Sequence, residues 1–254
     1  VRLIMHEGLR LFRDRLTSKE EEDWTDQKMD TIFKAAFSGV DCDTALMRPI
    51  LYSSWLTREY VSVDQEGLRD YVKERLKTFA EEELDVKLVV FDGVLDHVLR
   101  IDRVLKQPSG HAVLAGASGA GKTVLSRFTA WINGLSIFQI KIHKKYGLDE
   151  FDEDLRGIMK RSGAQQEKIA FIIDESNVIS TAFMEKMNAL LASGEVPGLF
   201  EGEEYNQLLN LLRDQHGSDT PPDELFEMFT RDVCKNLHII FTMNPANADF
   251  SSRT

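Results

Sequence analysis

The chain has 254 residues, enough for one or two domains with a full core, and carries 31 Lys and Arg against 42 Asp and Glu for a net charge of −11. That balance, without any basic stripe interleaved with aromatics, argues against direct binding to nucleic acid. No apolar run approaches the roughly 18 residues needed to cross a bilayer and no signal-peptide pattern opens the chain, so no membrane partner is expected. Cys42 and Cys234 make no disulfide framework, which suits a reducing cytoplasmic compartment.

In chain order, Val1, Ile4, Met5, Leu9, Phe12 and Leu16 recur at helical spacing and predict an amphipathic helix, which "TSKEEEDW" then breaks. His6 opens "HEGLR", which lacks the second histidine of a zinc-binding HExxH helix, and the other histidines are scattered, so no metal site made of protein ligands is assigned. A second helical pattern puts Ile32, Phe33, Ala36 and Phe37 on one face, "RPILYSSW" reads as an extended connector, and a long helix from about Gln65 to Leu84 aligns Leu68, Tyr71, Val72, Leu76 and Phe79. Glu81 to Glu83 are its solvated end.

From Lys87 the pattern alternates. "KLVVF", "HAVLAG", "LSIFQI", "KIAFIID" and "LHIIFTMN" are short apolar runs that read as strands. Between them lie helical stretches, among them "DGVLDHVLRIDRVLKQ", "KTVLSRFTAWING", "FDEDLRGIMKRSG", "TAFMEKMNALLASG" and "TPPDELFEMFTRDVCK". Strands alternating with helices predict an α/β fold with a parallel sheet covered by helices, preceded by a small helical segment. Both ends read as cut, the first inside a helical pattern and the last just after a strand, so a segment of a longer chain is expected.

"GASGAGKTV" has the spacing of a phosphate-binding P-loop. Gly116, Ala117, Ser118, Gly119, Ala120 and Gly121 let backbone N–H groups turn around phosphate oxygens, and Lys122 reaches the β and γ phosphates. The Thr123 hydroxyl is a magnesium ligand, and Val124 continues the helix whose positive N-terminus faces the anion. Leu125, Phe128, Trp131 and Ile132 share one face of that helix, and Gly134 stands where a C-capping glycine belongs. About 50 residues on, "KIAFIIDES" ends a buried strand in two acids. Asp174 is expected to hold magnesium, partly through water, and Glu175 to activate the attacking water. "LHIIFTMNP" ends in Asn244, with Pro245 terminating the strand.

These motifs and the text between them, including "HEGLRLFRDRL", "RPILYSSW", "DHVLRIDRVLKQPSGH", "LSRFTAWINGLSIFQIKIHKKY", "DESNVI" and "GEVPGLFEGEEY", closely resemble the dynein heavy-chain family, in its cytoplasmic branch, over nearly the whole chain. The resemblance implies a P-loop NTPase of AAA+ type. Residues 1–60 are expected to be the C-terminal part of the third module's small subdomain. Residues 61–254 are expected to be the large subdomain of the fourth, cut before its last strand. It further implies a ring of six linked modules that moves on microtubules, in which the first is the main ATPase and the fourth a regulatory site binding ATP or ADP with magnesium. Asn244 takes the place of sensor 1, contacting the γ phosphate and the lytic water, and Val89, Val90 and Phe91, with the turn to Val94, would lie against adenine. The arginine finger, sensor 2 and the microtubule-binding stalk fall outside the segment, so the expected partners are neighbouring modules of the same chain. Two other readings stay open: a module locked by nucleotide with little turnover, and an AAA+ remodelling ATPase unrelated to dynein.

Overall fold

The structure, a computed structural model, describes residues 1–82, 92–178, 180–217 and 219–244. The expected strand "KLVVF", with Val89, Val90 and Phe91, lies outside the described residues, as does Pro245. Packing divides the chain into two compact units between Arg100 and Ile101, whereas the module boundary expected near residue 60 falls inside the first of them.

The first unit holds helices α1 (Arg2–Phe12), α2 (Lys19–Ala36), α3 (Cys42–Ala45) and α4 (Gln65–Glu82), the short antiparallel pair β1 (Tyr52–Ser53) and β2 (Val61–Ser62), and the start of α5 (Asp92–Leu105). One core joins Met5, Leu9, Phe33, Cys42, Leu46, Ile50 and Tyr52. His6 belongs to it, with Nδ1 bonded to the Ile50 carbonyl at 3.1 Å and Nε2 to the Tyr60 hydroxyl at 3.0 Å. α4 buries Leu68, Val72, Leu76 and Phe79 as its spacing predicts, with Tyr71 half-buried.

α1 and α2 form as their spacing predicts, with only part of each apolar stripe covered, and the break expected between them is corrected. The covered face of α1 is narrower than its apolar stripe, because Ile4 and Phe12 stay 55% and 56% exposed while Met5 and Leu9 are buried. Likewise only Phe33 of the expected α2 face is buried, and Ile32 is exposed. "KEEEDW" is no break: Glu20, Glu21 and Glu22 form the first turn of α2, where carboxylates are favoured by the helix dipole, and the break is confined to the residues before Ser18.

In the second unit, β3 (Ala112–Ala115), β4 (Ser136–Phe138), β5 (Ile169–Asp174) and β6 (Leu237–Met243) form a parallel sheet in the order β3-β6-β5-β4. α6 (Lys122–Ile132), α7 (Leu148–Met159), α8 (Thr181–Ser193), α9 (Gly202–His216) and α10 (Pro222–Asn236) flank it. Strand periodicity sorts the two faces. Ile169, Phe171, Ile173, Leu237 and Ile239 join the core built with α7 to α10, so the alternate residues Ala170, Ile172, Ile240 and Thr242, all at most 1% exposed, point to the opposite face, the side of α6. α6 ends as expected. Gly134, at φ +69°, donates its N–H to the Trp131 carbonyl, and Leu135 donates to that of Ala130, a Schellman closure that only a left-handed residue permits at low cost. Trp131 and Ile132 are half-buried, and the fully covered side chains of α6 are those of Leu125, Ser126, Phe128, Thr129 and Ala130. Asp102, near the end of α5 and 1% exposed, accepts from Lys106 Nζ and Asn133 Nδ2, each at 2.7 Å, within the second unit.

Where β3 and β6 begin, two histidines make hydrogen bonds through Nδ1. The Ile239 N–H donates to His111 Nδ1 at 3.1 Å, and His238 Nδ1 lies 2.9 Å from the Gly110 carbonyl. Burial, with His238 beside it, pushes His111 below the ordinary 6.5, and burial also lowers His238. The unfolded chain therefore takes up protons first as pH falls, so the contribution of this pair is fully present above about 6.5 and is lost as pH drops through that value toward the lower folded ones. The urea midpoint of the chain is expected to fall between about pH 7.5 and about pH 5.5. His111→Asn, whose Oδ1 still accepts the Ile239 N–H but does not titrate, should flatten that slope; a parent midpoint constant over this range would contradict the assignment. Carboxylates act in a separate window, since the hydrogen bonds from Arg161 and Ser136 hold Glu167 down to about 2.

Candidate active site

The P-loop runs from the end of β3 into α6. Gly116 donates its N–H to the Met243 carbonyl at 3.1 Å, so the loop starts from the β3–β6 ladder, and Ala117 to Ala120 turn back through a 3.1 Å bond from the Ala120 N–H to the Ala117 carbonyl. Gly119 and Gly121 take φ of +79° and +82°, the left-handed region that explains glycine at both. Gly121 is the N-cap of α6 without a side-chain cap bond, and no acid sits in the first turn. The N–H groups and positive end of the helix are thus available to an anion. Lys122, Thr123 and Val124 make up that first turn, all half-buried.

Lys122 Nζ donates to the carbonyls of Gly116 at 2.7 Å and Ala117 at 2.9 Å, and to Asn244 Oδ1 at 3.3 Å. Asn244 in turn donates through its backbone N–H to Glu175 Oε2 at 2.9 Å and through Nδ2 to Oε1 at 3.0 Å. A continuous chain therefore links the phosphate-loop cation, the residue just past β6 and the acid just past β5. Position makes this possible: β6 lies between β3 and β5, so all three groups leave the same edge of the sheet.

Asp174 points elsewhere. Its Oδ1 accepts the Ser176 N–H at 3.0 Å and the Ser176 hydroxyl at 2.8 Å, its Oδ2 accepts the Thr242 hydroxyl at 3.1 Å, and its own N–H donates to Asn177 Oδ1 at 2.8 Å. Burial by itself raises this carboxyl, but the bonds from Ser176 and Thr242 and the charge of Lys122 outweigh it and hold the pKa below the ordinary 3.8. The acid is ionised at neutral pH. The two consecutive acids diverge, Glu175 bonded to Asn244 and Asp174 to Thr242.

Among the described residues no group of three or more His, Cys, Asp or Glu could hold a metal ion. The donor set instead suits magnesium carried on a polyphosphate, which keeps waters and needs only one or two protein oxygens; the Thr123 hydroxyl and the ionised Asp174 can supply them. The residues unforeseen in the sequence are Thr242, Ser176 and Asn177. A signal existed for the first, a hydroxyl inside an apolar strand, but its partner was invisible without the strand register.

A profile of the family described as "P-loop containing dynein motor region D4" matches residues 86–254. The whole chain aligns with the protein named "Dynein heavy chain, cytoplasmic" of Drosophila melanogaster at 56% identity, with that of Dictyostelium discoideum at 55%, and with that of Caenorhabditis elegans at 53%. It covers 6%, 5% and 6% of their lengths, respectively.

Proposed function

This chain belongs to the dynein heavy-chain family, in the P-loop AAA+ portion of the motor, and on that premise we propose that it binds ATP or ADP with magnesium at the P-loop and hydrolyses ATP as a regulatory module. The module boundary is placed near residue 60, with the fourth large subdomain following it. The relatives are named cytoplasmic, and the same compartment is proposed here. Neighbouring modules of the same heavy chain are its partners, and microtubules are reached only through other parts of that chain.

The observation that carries this reading is the Lys122–Asn244–Glu175 chain. Lys122 and the loop N–H groups bind the phosphates, Thr123 and Asp174 hold magnesium, and Asn244 aligns Glu175 to take a proton from water. Magnesium, when bound, neutralises charge on the β and γ phosphate oxygens. Adenine is assigned to Val89, Val90 and Phe91. One feature favours low turnover: both Glu175 oxygens accept from Asn244, one bond each, which ties the carboxylate to the residue after β6, so a water must come to this held carboxylate and use the lone pairs left to it. A nucleotide-locked module is therefore the second reading.

Titration with a fluorescent ATP analogue and steady-state phosphate release test both. The 254-residue chain is expected to bind nucleotide while releasing phosphate far more slowly than the same site in an intact motor, since an arginine finger from a neighbour is worth about 10³ to 10⁵ in rate. No binding would sink the proposal, and release as fast as in the motor would show that neighbours are dispensable.

A further inference from the structure

Thr242 is 0% exposed, in a strand otherwise apolar from Leu237 to Met243 apart from His238. A buried hydroxyl is costly unless it is bonded, and this one has a specific partner. In the parallel register of β5 and β6, Thr242 stands directly opposite Asp174. Its single proton has two acceptors within reach, Asp174 Oδ2 at 3.1 Å and the Ile173 carbonyl at 3.4 Å. The carboxylate is both nearer and charged, and charge-assisted bonds are the stronger ones. Ser176 holds the other oxygen from the exposed turn, through its N–H and hydroxyl. Asp174 is thus clamped from two sides, one contact local and one reaching across the sheet from a residue 68 positions away in sequence.

We propose that Thr242 is a positioning residue for Asp174: its buried hydroxyl fixes the carboxylate in the orientation through which magnesium strengthens nucleotide binding at the P-loop. This rests on the nucleotide–magnesium reading above. Outer groups that orient a metal-holding carboxylate act on metal affinity by about 10- to 100-fold, and the Thr242 hydroxyl is bonded to Asp174, the acid assigned to magnesium. Two residues on, just past β6, Asn244 does the corresponding work for Glu175, so the end of one strand sets both acids at the end of the adjacent one.

The affinity of the chain for a fluorescent ATP analogue, measured in excess magnesium and again in EDTA, tests this. Thr242→Val, close in shape but without the hydroxyl, should bind about tenfold more weakly than the parent in magnesium and equally well in EDTA. Thr242→Ser, which restores the hydroxyl, should fall within about twofold of the parent in both. Equal losses with and without magnesium would mean that Thr242 only supports the fold, and a serine variant as weak as valine would remove the hydroxyl from the account; either overturns the proposal. A parent whose affinity ignores magnesium would overturn the magnesium reading itself, and that is seen before any variant is made.

Discussion

Glu175→Gln, placed in an intact motor, is expected to keep ATP binding and trap the triphosphate, with hydrolysis at this site slowed about 10² to 10⁴-fold. Glutamine keeps the shape of glutamate but takes no proton from water. The geometry adds a second effect. Asn244 presents two donors to Glu175, its N–H at 2.9 Å and Nδ2 at 3.0 Å, and a glutamine amide offers one acceptor and one opposing donor, so the paired contact cannot survive whole. Bound nucleotide followed by rapid quench, in a background where the other sites are disabled, measures the trapping, and single-molecule tracking measures movement on microtubules. Trapping with movement retained but altered supports a regulatory hydrolase. Abolished movement argues for a driving site, and unchanged hydrolysis removes Glu175 from the chemistry. Asp174→Asn should differ in kind, weakening magnesium-dependent binding itself.

Lys122→Ala should weaken nucleotide binding by about 30- to 1000-fold, the loss of one or two charge-assisted bonds worth about 2–4 kcal/mol together. On the proposed reading, Lys122 is the cation that the loop supplies to the phosphates. Its removal also leaves the Gly116 and Ala117 carbonyls without their charged partner and releases Asn244 Oδ1. Titration of a fluorescent ATP analogue against variant and parent checks it, with circular dichroism confirming that α6 is intact. Equal affinity would rule out the loop as the phosphate site.

Local structure was legible where adjacent residues alone determine it. The turn of the P-loop at Gly119 and Gly121, the closure of α6 at Gly134 and the buried run of β5 all follow from backbone sterics and period, which neighbouring residues carry by themselves. Periodicity gives the helices but not which of their apolar residues packing covers. Ile4 and Phe12 of α1 and Ile32 of α2 fit a helical stripe yet remain exposed, because the stripe is wider than the surface that covers it. The acidic start of α2 resembles a break only when charge is taken without helix polarity, since carboxylates are favoured at a helix N-terminus.

By itself, then, the sequence determined the type of each chemical group and the element that carries it: a P-loop opening a helix, two acids closing a strand, and an asparagine closing another. Only the tertiary structure decided which of these meet. Lys122 and Asn244 are 122 positions apart, and Asn244 and Glu175 are 69. Their contact depends on β6 inserting between β3 and β5, an outcome of how crossover helices pack and one that no local spacing encodes. The same insertion sets Thr242 opposite Asp174. A one-residue slip of that register would turn Thr242 to the opposite face and leave Asp174 without its second hold, because side chains alternate along a strand.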